Sequence, residues 1–290
     1  MSELFALPLR GGGGEPISFA RTVYSHGCAR LAPATITTSP LTYRRALRLG
    51  GRVVEVTLCA DRGRLVGTTA SRLRRGEGEK IERAIARMFR LGDDLGPFYA
   101  RIASDEALAW AASGAGRILA APTVFEDLIK TICTTNCAWS ATIRMTNALC
   151  ELGGGAFPEP AVLAAAPERW FAQSARMGYR GPYVQAIARD TVAGRFDPEG
   201  LLAGAGLGDD EVEEALLALP GIGPYGAAHV MMLLGRHRRL VLDSWTRPTY
   251  RRLRGMKSAA DSTIRRAFAR YGEYAGLAFW LYLTRDWVAE

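Results

Sequence analysis

One carboxylate, one glycine turn and a scatter of aromatic and arginine side chains have the types and spacing to do chemistry together in this chain. The carboxylate is Asp243, which closes the apolar run Leu240-Val241-Leu242 and precedes Ser244-Trp245. Its surroundings are strongly basic: positions 236–270 hold eleven Lys and Arg against two acids, Asp243 and Asp261. An acid that starts a helix is ordinarily an N-cap, contributing roughly 1 kcal/mol. Held between an apolar wall and a basic groove, the same carboxylate can stabilise a sugar oxocarbenium ion and position water at C1′. Cleavage of an N-glycosidic bond needs both services. Capping would orient the carboxylate for that work, so the two readings are compatible.

About twenty residues before Asp243 lies the turn Pro220-Gly221-Ile222-Gly223. A helix ends at Pro220 and a second begins near Pro224, whose missing N–H is not needed in a first helical turn. Two glycines let the backbone turn tightly while Ile222 anchors the turn between the helices. The amides of Gly221, Gly223 and Gly226 then sit at a positive dipole end, a ready site for a phosphate. An ordinary helical hairpin with a glycine turn shares these features.

The stretch from Leu219 to Ala227, followed by Asp243, resembles the helix-hairpin-helix DNA glycosylases, with their LPGIGxxxA hairpin and later aspartate. That superfamily holds the 8-oxoguanine, adenine-mismatch, endonuclease III and alkylpurine enzymes. The resemblance covers nearly the whole chain and is clearest over residues 123–286. It implies an α+β, mostly α fold: a small antiparallel β domain over residues 1–76, then a two-lobed all-helical core with the hairpin over residues 77–290. It also implies roles for particular residues. Bifunctional relatives carry a lysine two residues after the last hairpin glycine; here Tyr225 stands there, and a phenol cannot form an imine. Ile132–Ala138, ICTTNCA, is similar to a loop of the 8-oxoguanine enzymes whose Asn fills the gap left by a flipped nucleotide, here Asn136. Met177–Val184, MGYRGPYV, is similar to a stretch whose Tyr wedges into the duplex and whose Arg reaches the unpaired base, here Tyr179 and Arg180. The C-terminal YAGLAFW places Phe279 where oxoguanine enzymes read guanine with a Gln, and Trp280 where alkylpurine enzymes stack a base. Arg247 is expected on the DNA-binding side, and the backbone carbonyls of Leu217, Leu219 and Ile222 could hold K⁺ or Na⁺. Tyr225, Phe279 and Trp280 are thus expected to line a base pocket. Relatives with an iron–sulfur cluster have four closely spaced cysteines after the hairpin region; this chain has none there, and no other cofactor is expected.

The elements that must position these residues read as follows. Residues 1–16 carry four glycines at positions 11–14 and look like a leader or loop. Short β-type segments follow near residues 34–38, 41–49, 52–60 and 64–70, with Arg44, Arg45 and Arg48 expected to face water. From Glu77 onward the pattern is helical, with about ten helices, one of them over residues 198–205. The five cysteines are scattered, and His26, His229 and His237 are not grouped and belong to no metal motif, with surface or core roles expected. A net charge of +8 favours a polyanionic partner. The apolar run at 277–283 is too short to span a bilayer, and no secretory leader is evident. The expectation is therefore an intracellular protein, cytoplasmic and nucleoid-associated if bacterial, acting as a monomer on double-stranded DNA with a damaged base. Its expected activity is that of a monofunctional glycosylase releasing an alkylated, 3-methyladenine-like purine. The alternatives are an 8-oxoguanine glycosylase/lyase and a non-catalytic DNA-binding protein.

Overall fold

A computed structural model describes residues 2–202 and 206–288. Five antiparallel strands form one sheet in the order β1-β5-β4-β3-β2: β1 Ser2–Pro8, β2 Ala34–Thr38, β3 Leu41–Leu49, β4 Arg52–Asp61 and β5 Arg64–Thr69. The sequence treats residues 2–8 as leader, but they pair with β5 as an edge strand. Gly67 in β5 leaves room for the Phe5 ring, which is buried against it.

Helix α1 (Phe19–Val23) precedes β2, and α2 (Glu77–Met88) follows β5. Ile81, Ile85 and Met88 of α2 are fully buried on the sheet, in one core with Val54, Val56 and Leu58. The helical signal starts at Glu77 as the sequence suggests, yet the packed unit around the sheet includes this first helix. The remaining helices are α3 Gly96–Ile102, α4 Val124–Thr134, α5 Trp139–Leu152, α6 Pro160–Ala165, α7 Arg180–Val192, α8 Asp209–Leu217, α9 Pro224–Leu233, α10 Thr246–Leu253, α11 Asp261–Phe268 and α12 Ala275–Thr284. A helix read from the sequence over 198–205 is only a 3₁₀ turn at Glu199–Leu201, and residues 203–205 lie outside the described residues.

Two helical cores meet at α9. Ala227, Val230 and Met231 pack with α4, α5 and α7, whereas Ala228, Met232 and Leu233 pack with α3, α11 and α12. Every residue of α9 from Gly226 to Leu233 is buried. A helix apolar on all sides belongs inside a protein, and α9 is the wall shared by both lobes. No described helix is long and apolar enough to cross a membrane.

Arg45 corrects the expectation that the β3 arginines face water. Tyr43, Arg45 and Leu47 alternate onto the buried face of β3, because strand side chains repeat every second residue. Arg45 is 3% exposed and both Glu126 carboxylate oxygens lie 2.5 Å from its Nη2. Lys130 Nζ, also buried, lies 2.7 Å from the same carboxylate. This triad joins the sheet to α4; removing one member of such a buried set typically costs about 3–5 kcal/mol.

Candidate functional site

The hairpin, the α4–α5 loop, the start of α7 and the chain leading into α10 surround one cleft of about 900 Å³. Asn136, Tyr179, Gly221, Gly223, Tyr225, Gly226, Asp243 and Arg247 all line it. Elements far apart in sequence therefore bring most of the expected residues to one place.

The hairpin closes by local bonds. Leu219 N–H donates to the Leu216 carbonyl at 3.1 Å and Ile222 N–H to the Leu219 carbonyl at 3.2 Å. Gly221 has φ +84°, a left-handed conformation that disfavours any side chain, and a Cβ there would meet the Tyr183 ring at 2.6 Å. Gly223 is extended, exposed, and open on its Cβ side. The first-turn amides of Tyr225 and Gly226 have no helical acceptor. Gly226 is itself buried against Ile222 and Thr131, so the accessible end of this amide set is at Gly223.

Asp243 caps the next turn of chain, as its neighbours allow. Its Oδ1 accepts from Trp245 N–H at 2.9 Å and Thr246 N–H at 2.6 Å, while its own N–H donates to Thr246 Oγ1 at 2.8 Å. This reciprocal pair has capping-box spacing. Thr246 was not singled out from the sequence, although its position three residues on is a legible signal. With Oδ1 so fixed, Oδ2 meets no protein donor among the described residues and is available within the cleft. Leu240 and Leu242 form the apolar wall beside it.

Tyr225 stands across the cleft on α9. Its ring stacks on His229, centroids 6.0 Å apart and 11° between planes, and its hydroxyl lies 3.3 Å from Thr134 Oγ1. Burial raises the phenol pKa, and the Asp243 charge raises it further. Tyr225 is therefore a neutral aromatic wall. No lysine lines the cleft among the described residues, and Lys130 is held in its buried ion pair.

On the opposite rim Asn136, at φ +45°, approaches Tyr179, with Nδ2 3.5 Å from the hydroxyl. Tyr179 is 50% exposed and packs edge-on against Tyr183 beneath the hairpin turn. Arg180 departs from the expectation that it reaches an unpaired base. It is 7% exposed, and its Nε and Nη2 donate to the Thr135 carbonyl, the former at 3.1 Å. The guanidinium, stacked 4.5 Å over the Tyr179 ring, instead ties that tyrosine to the Asn136 loop.

Phe279 and Trp280 are corrections. Neither lines the cleft. Phe279 is fully buried between Phe268 and Tyr250, with centroids 5.2 and 6.2 Å away. Trp280 is 6% exposed, donates from Nε1 to the Ser25 carbonyl at 2.7 Å, and borders a separate narrow cavity with Arg21 and Trp110. Helix α12 is buried over 275–281, so apolar periodicity gives no face to distinguish pocket from core.

The basic run is also less bare than its composition suggests. Arg236 pairs with Asp209, Arg238 with Asp210, and Arg239 with Asp210 and Glu213, all acids of α8. Arg247 makes a bidentate pair with Asp261 at 2.8 and 2.9 Å, which holds it at the cleft edge. This pairing depresses the Asp261 pKa, chiefly through the Arg247 hydrogen bonds. Arg251, Arg252, Arg254, Lys257 and Arg266 pair with no described acid, and Arg265 acts on Asp261 through its charge alone, leaving a cationic surface around α10 and α11 beside the cleft. Histidine grouping is a further correction: His26 and His229 are buried together, with ring centroids 5.8 Å apart, while His237 lies elsewhere beside Tyr274.

A family model described as HhH-GPD superfamily base excision DNA repair protein matches residues 129–273. No curated relative matches the sequence. Among solved structures, the chain is similar to the 3-methyladenine DNA-glycosylase from Archaeoglobus fulgidus at 20% identity and TM-score 0.72, covering 98% of this chain and 100% of that one. It is also similar to the Clostridium acetobutylicum 8-oxoguanine glycosylase/lyase in its apo form, at 20% identity and TM-score 0.71, covering 93% and 94%. That enzyme in complex with double-stranded DNA containing cytosine opposite 8-oxoguanine gives 20% identity and TM-score 0.69, covering 94% and 93%. At these identities the likeness is one of fold.

Proposed function

The chain belongs to the HhH-GPD superfamily of base excision DNA repair proteins, and from that premise we propose that it is a monofunctional DNA N-glycosylase. The observation that carries this reading is Asp243. One of its carboxylate oxygens is fixed by two amides and the other is unpaired, inside a cleft that holds no amine among the described residues. The hairpin amides at Gly223 would grip a phosphate, and the α10–α11 arginines would neutralise the flanking backbone. Tyr179 and Asn136 would fill the space left when the damaged nucleotide flips into the cleft. Asp243 would then stabilise the oxocarbenium ion and orient water toward C1′.

The substrate we propose is an alkylated, 3-methyladenine-like purine. Tyr225, backed by His229, presents a π-face that attracts a positively charged base. No glutamine stands at position 279 to read the edge of 8-oxoguanine, and Phe279 is sealed in the core. The carbonyls of Leu217, Leu219 and Ile222 would hold K⁺ or Na⁺ near a DNA phosphate. Leu217 ends α8, where carbonyls lack helical partners, so neutral oxygen donors are available there. The protein would act as a monomer inside the cell.

Duplexes carrying methylated, deaminated and oxidised bases separate the substrate classes directly. Release of methylated purines in preference to 8-oxoguanine is the expected order. Asparagine at position 243 keeps an oxygen for the Trp245 and Thr246 amides, so Asp243→Asn should fold and bind while base release falls by roughly 10²-fold or more. Near-normal release in single-turnover assays would remove Asp243 from the chemistry.

A further inference from the structure

Next to Tyr225, whose ring stacks on His229, three metal-ligating side chains meet that the proposed reaction does not use. They are His26 and Cys28, from the segment between α1 and β2, and His229 from α9. One ligand atom from each lies within 4.8 Å of the other two.

Hydrogen bonding fixes which nitrogen of each ring is bare. His26 Nε2 lies 2.7 Å from the Leu119 carbonyl, which can only accept, so Nε2 carries the proton and Nδ1 the lone pair. That Nδ1 is buried and meets no donor, which leaves a desolvated lone pair without compensation. Thr131 Oγ1 donates to the Asp127 carbonyl at 2.8 Å and therefore accepts from His229 Nδ1 at 3.1 Å. His229 Nε2 is left with the lone pair. Burial lowers the pKa of His26 to about 3 and of His229 to about 4, so both rings are neutral. A carbonyl or hydroxyl on the far nitrogen is the outer partner that orients metal-bound imidazoles.

We propose that His26, Cys28 and His229 form a binding site for zinc, with two imidazole nitrogens and one thiolate as ligands and a fourth position for water. Tetrahedral ligand atoms stand about 3.5 Å apart at ordinary zinc distances, so binding draws the three together by about an ångström. Coordination breaks the Cys28 S–H bond and releases one proton to solvent for each zinc bound. The ammonium of Lys130, which also faces the site, is opposed by Glu126 at 2.7 Å, and Asp127 adds a carboxyl with a buried, unpartnered Oδ2. An open groove of about 340 Å³, lined by His26, Gly27, Arg30, Trp139 and Trp287, gives the ion a route from solvent. The bound ion would staple the N-terminal segment to α9, whose first turn carries the hairpin and whose His229 backs Tyr225.

Cobalt is the probe that tests this, because its thiolate complexes are coloured. Metal-free, full-length protein titrated with Co²⁺ should show a thiolate-to-cobalt charge-transfer band and the intense visible bands of a tetrahedral ion, saturating at one equivalent and bleached by Zn²⁺. Cys28→Ser should lose the charge-transfer band and bind Zn²⁺ at least ~10²-fold more weakly, and Cys59→Ser should retain both. Zn²⁺ should raise the Tm of the wild type and not of Cys28→Ser. Absence of the band in wild-type protein, or a Cys28→Ser variant that binds as the wild type does, would overturn the site. None of these readouts involves DNA, so this result is independent of the glycosylase reading.

Discussion

The two hairpin glycines look equivalent in PGIG, but the structure assigns them opposite jobs, and Gly221→Ala and Gly223→Ala test that assignment. At Gly221, φ is +84°, which costs an alanine about 1–2 kcal/mol. Its Cβ would also meet Tyr183 at 2.6 Å, so the ring must shift, and Tyr179 packs on that ring. The expected loss is about 2–3 kcal/mol, which for a domain of this size lowers Tm by roughly 5 °C or more. At Gly223 the backbone is extended with φ −103° and ψ −173°, and nothing lies within 4 Å of a Cβ. Alanine is allowed there and stabilises by up to about 1 kcal/mol through the unfolded chain. Yet its methyl would stand between the turn and a phosphate. Affinity for undamaged duplex should fall ~10-fold, and the slope of log K against log salt should shrink by about one. Thermal denaturation and fluorescence anisotropy at several salt concentrations measure the two effects separately. Equal stability losses, or wild-type DNA affinity in Gly223→Ala, would refute the division of labour.

Two further outcomes follow from the burial pattern. Phe279→Ala should lose about 3–5 kcal/mol in urea denaturation while leaving the order of preferred bases unchanged; intact stability with altered preference would return Phe279 to the pocket. Acid should destabilise the fold. His26, His229 and His237, lowered by burial to about 3, 4 and 3, bind fewer protons folded than unfolded, so their contribution is full above pH ~6.5 and is lost as pH falls toward those values. Asp127, raised to about 7 by burial, acts with the opposite sign, its penalty growing from pH ~4 to 7. Three groups against one make the urea midpoint rise between pH 4 and 6.5, more steeply in Asp127→Asn; a higher midpoint at pH 4 would contradict the histidine burial.

What was legible in the sequence was local. The hairpin could be read because a helix stop, two glycines and a proline act within a few residues. Asp243 could be read because an apolar run, a cap and a basic stretch adjoin it. What could not be read depended on partners far along the chain. Arg45 reads as a surface residue because its acid, Glu126, arrives 81 residues later, although strand alternation with Tyr43 and Leu47 places it inside. The basic run could not show that α8 would neutralise Arg236, Arg238 and Arg239. His26 and His229 meet only because the N-terminal segment packs on α9. In α12, where residues 275–281 are all buried, no periodicity could tell which aromatic face meets a ligand. The edge strand β1 was hidden for a different reason: its pairing is set by the open edge of β5, with little alternation of its own.

The central claim, hydrolysis by Asp243 without an amine, is tested most directly by following one duplex with a releasable base through both reactions. The strand should lose its base and stay full length, breaking only after alkali or heat. Borohydride added during turnover should trap no covalent protein–DNA adduct, because trapping requires an imine that Tyr225 cannot form and that buried Lys130 cannot reach. Nicking at the rate of base release, together with efficient trapping, would contradict the account and assign the chemistry to another amine such as Lys257 or the N-terminus.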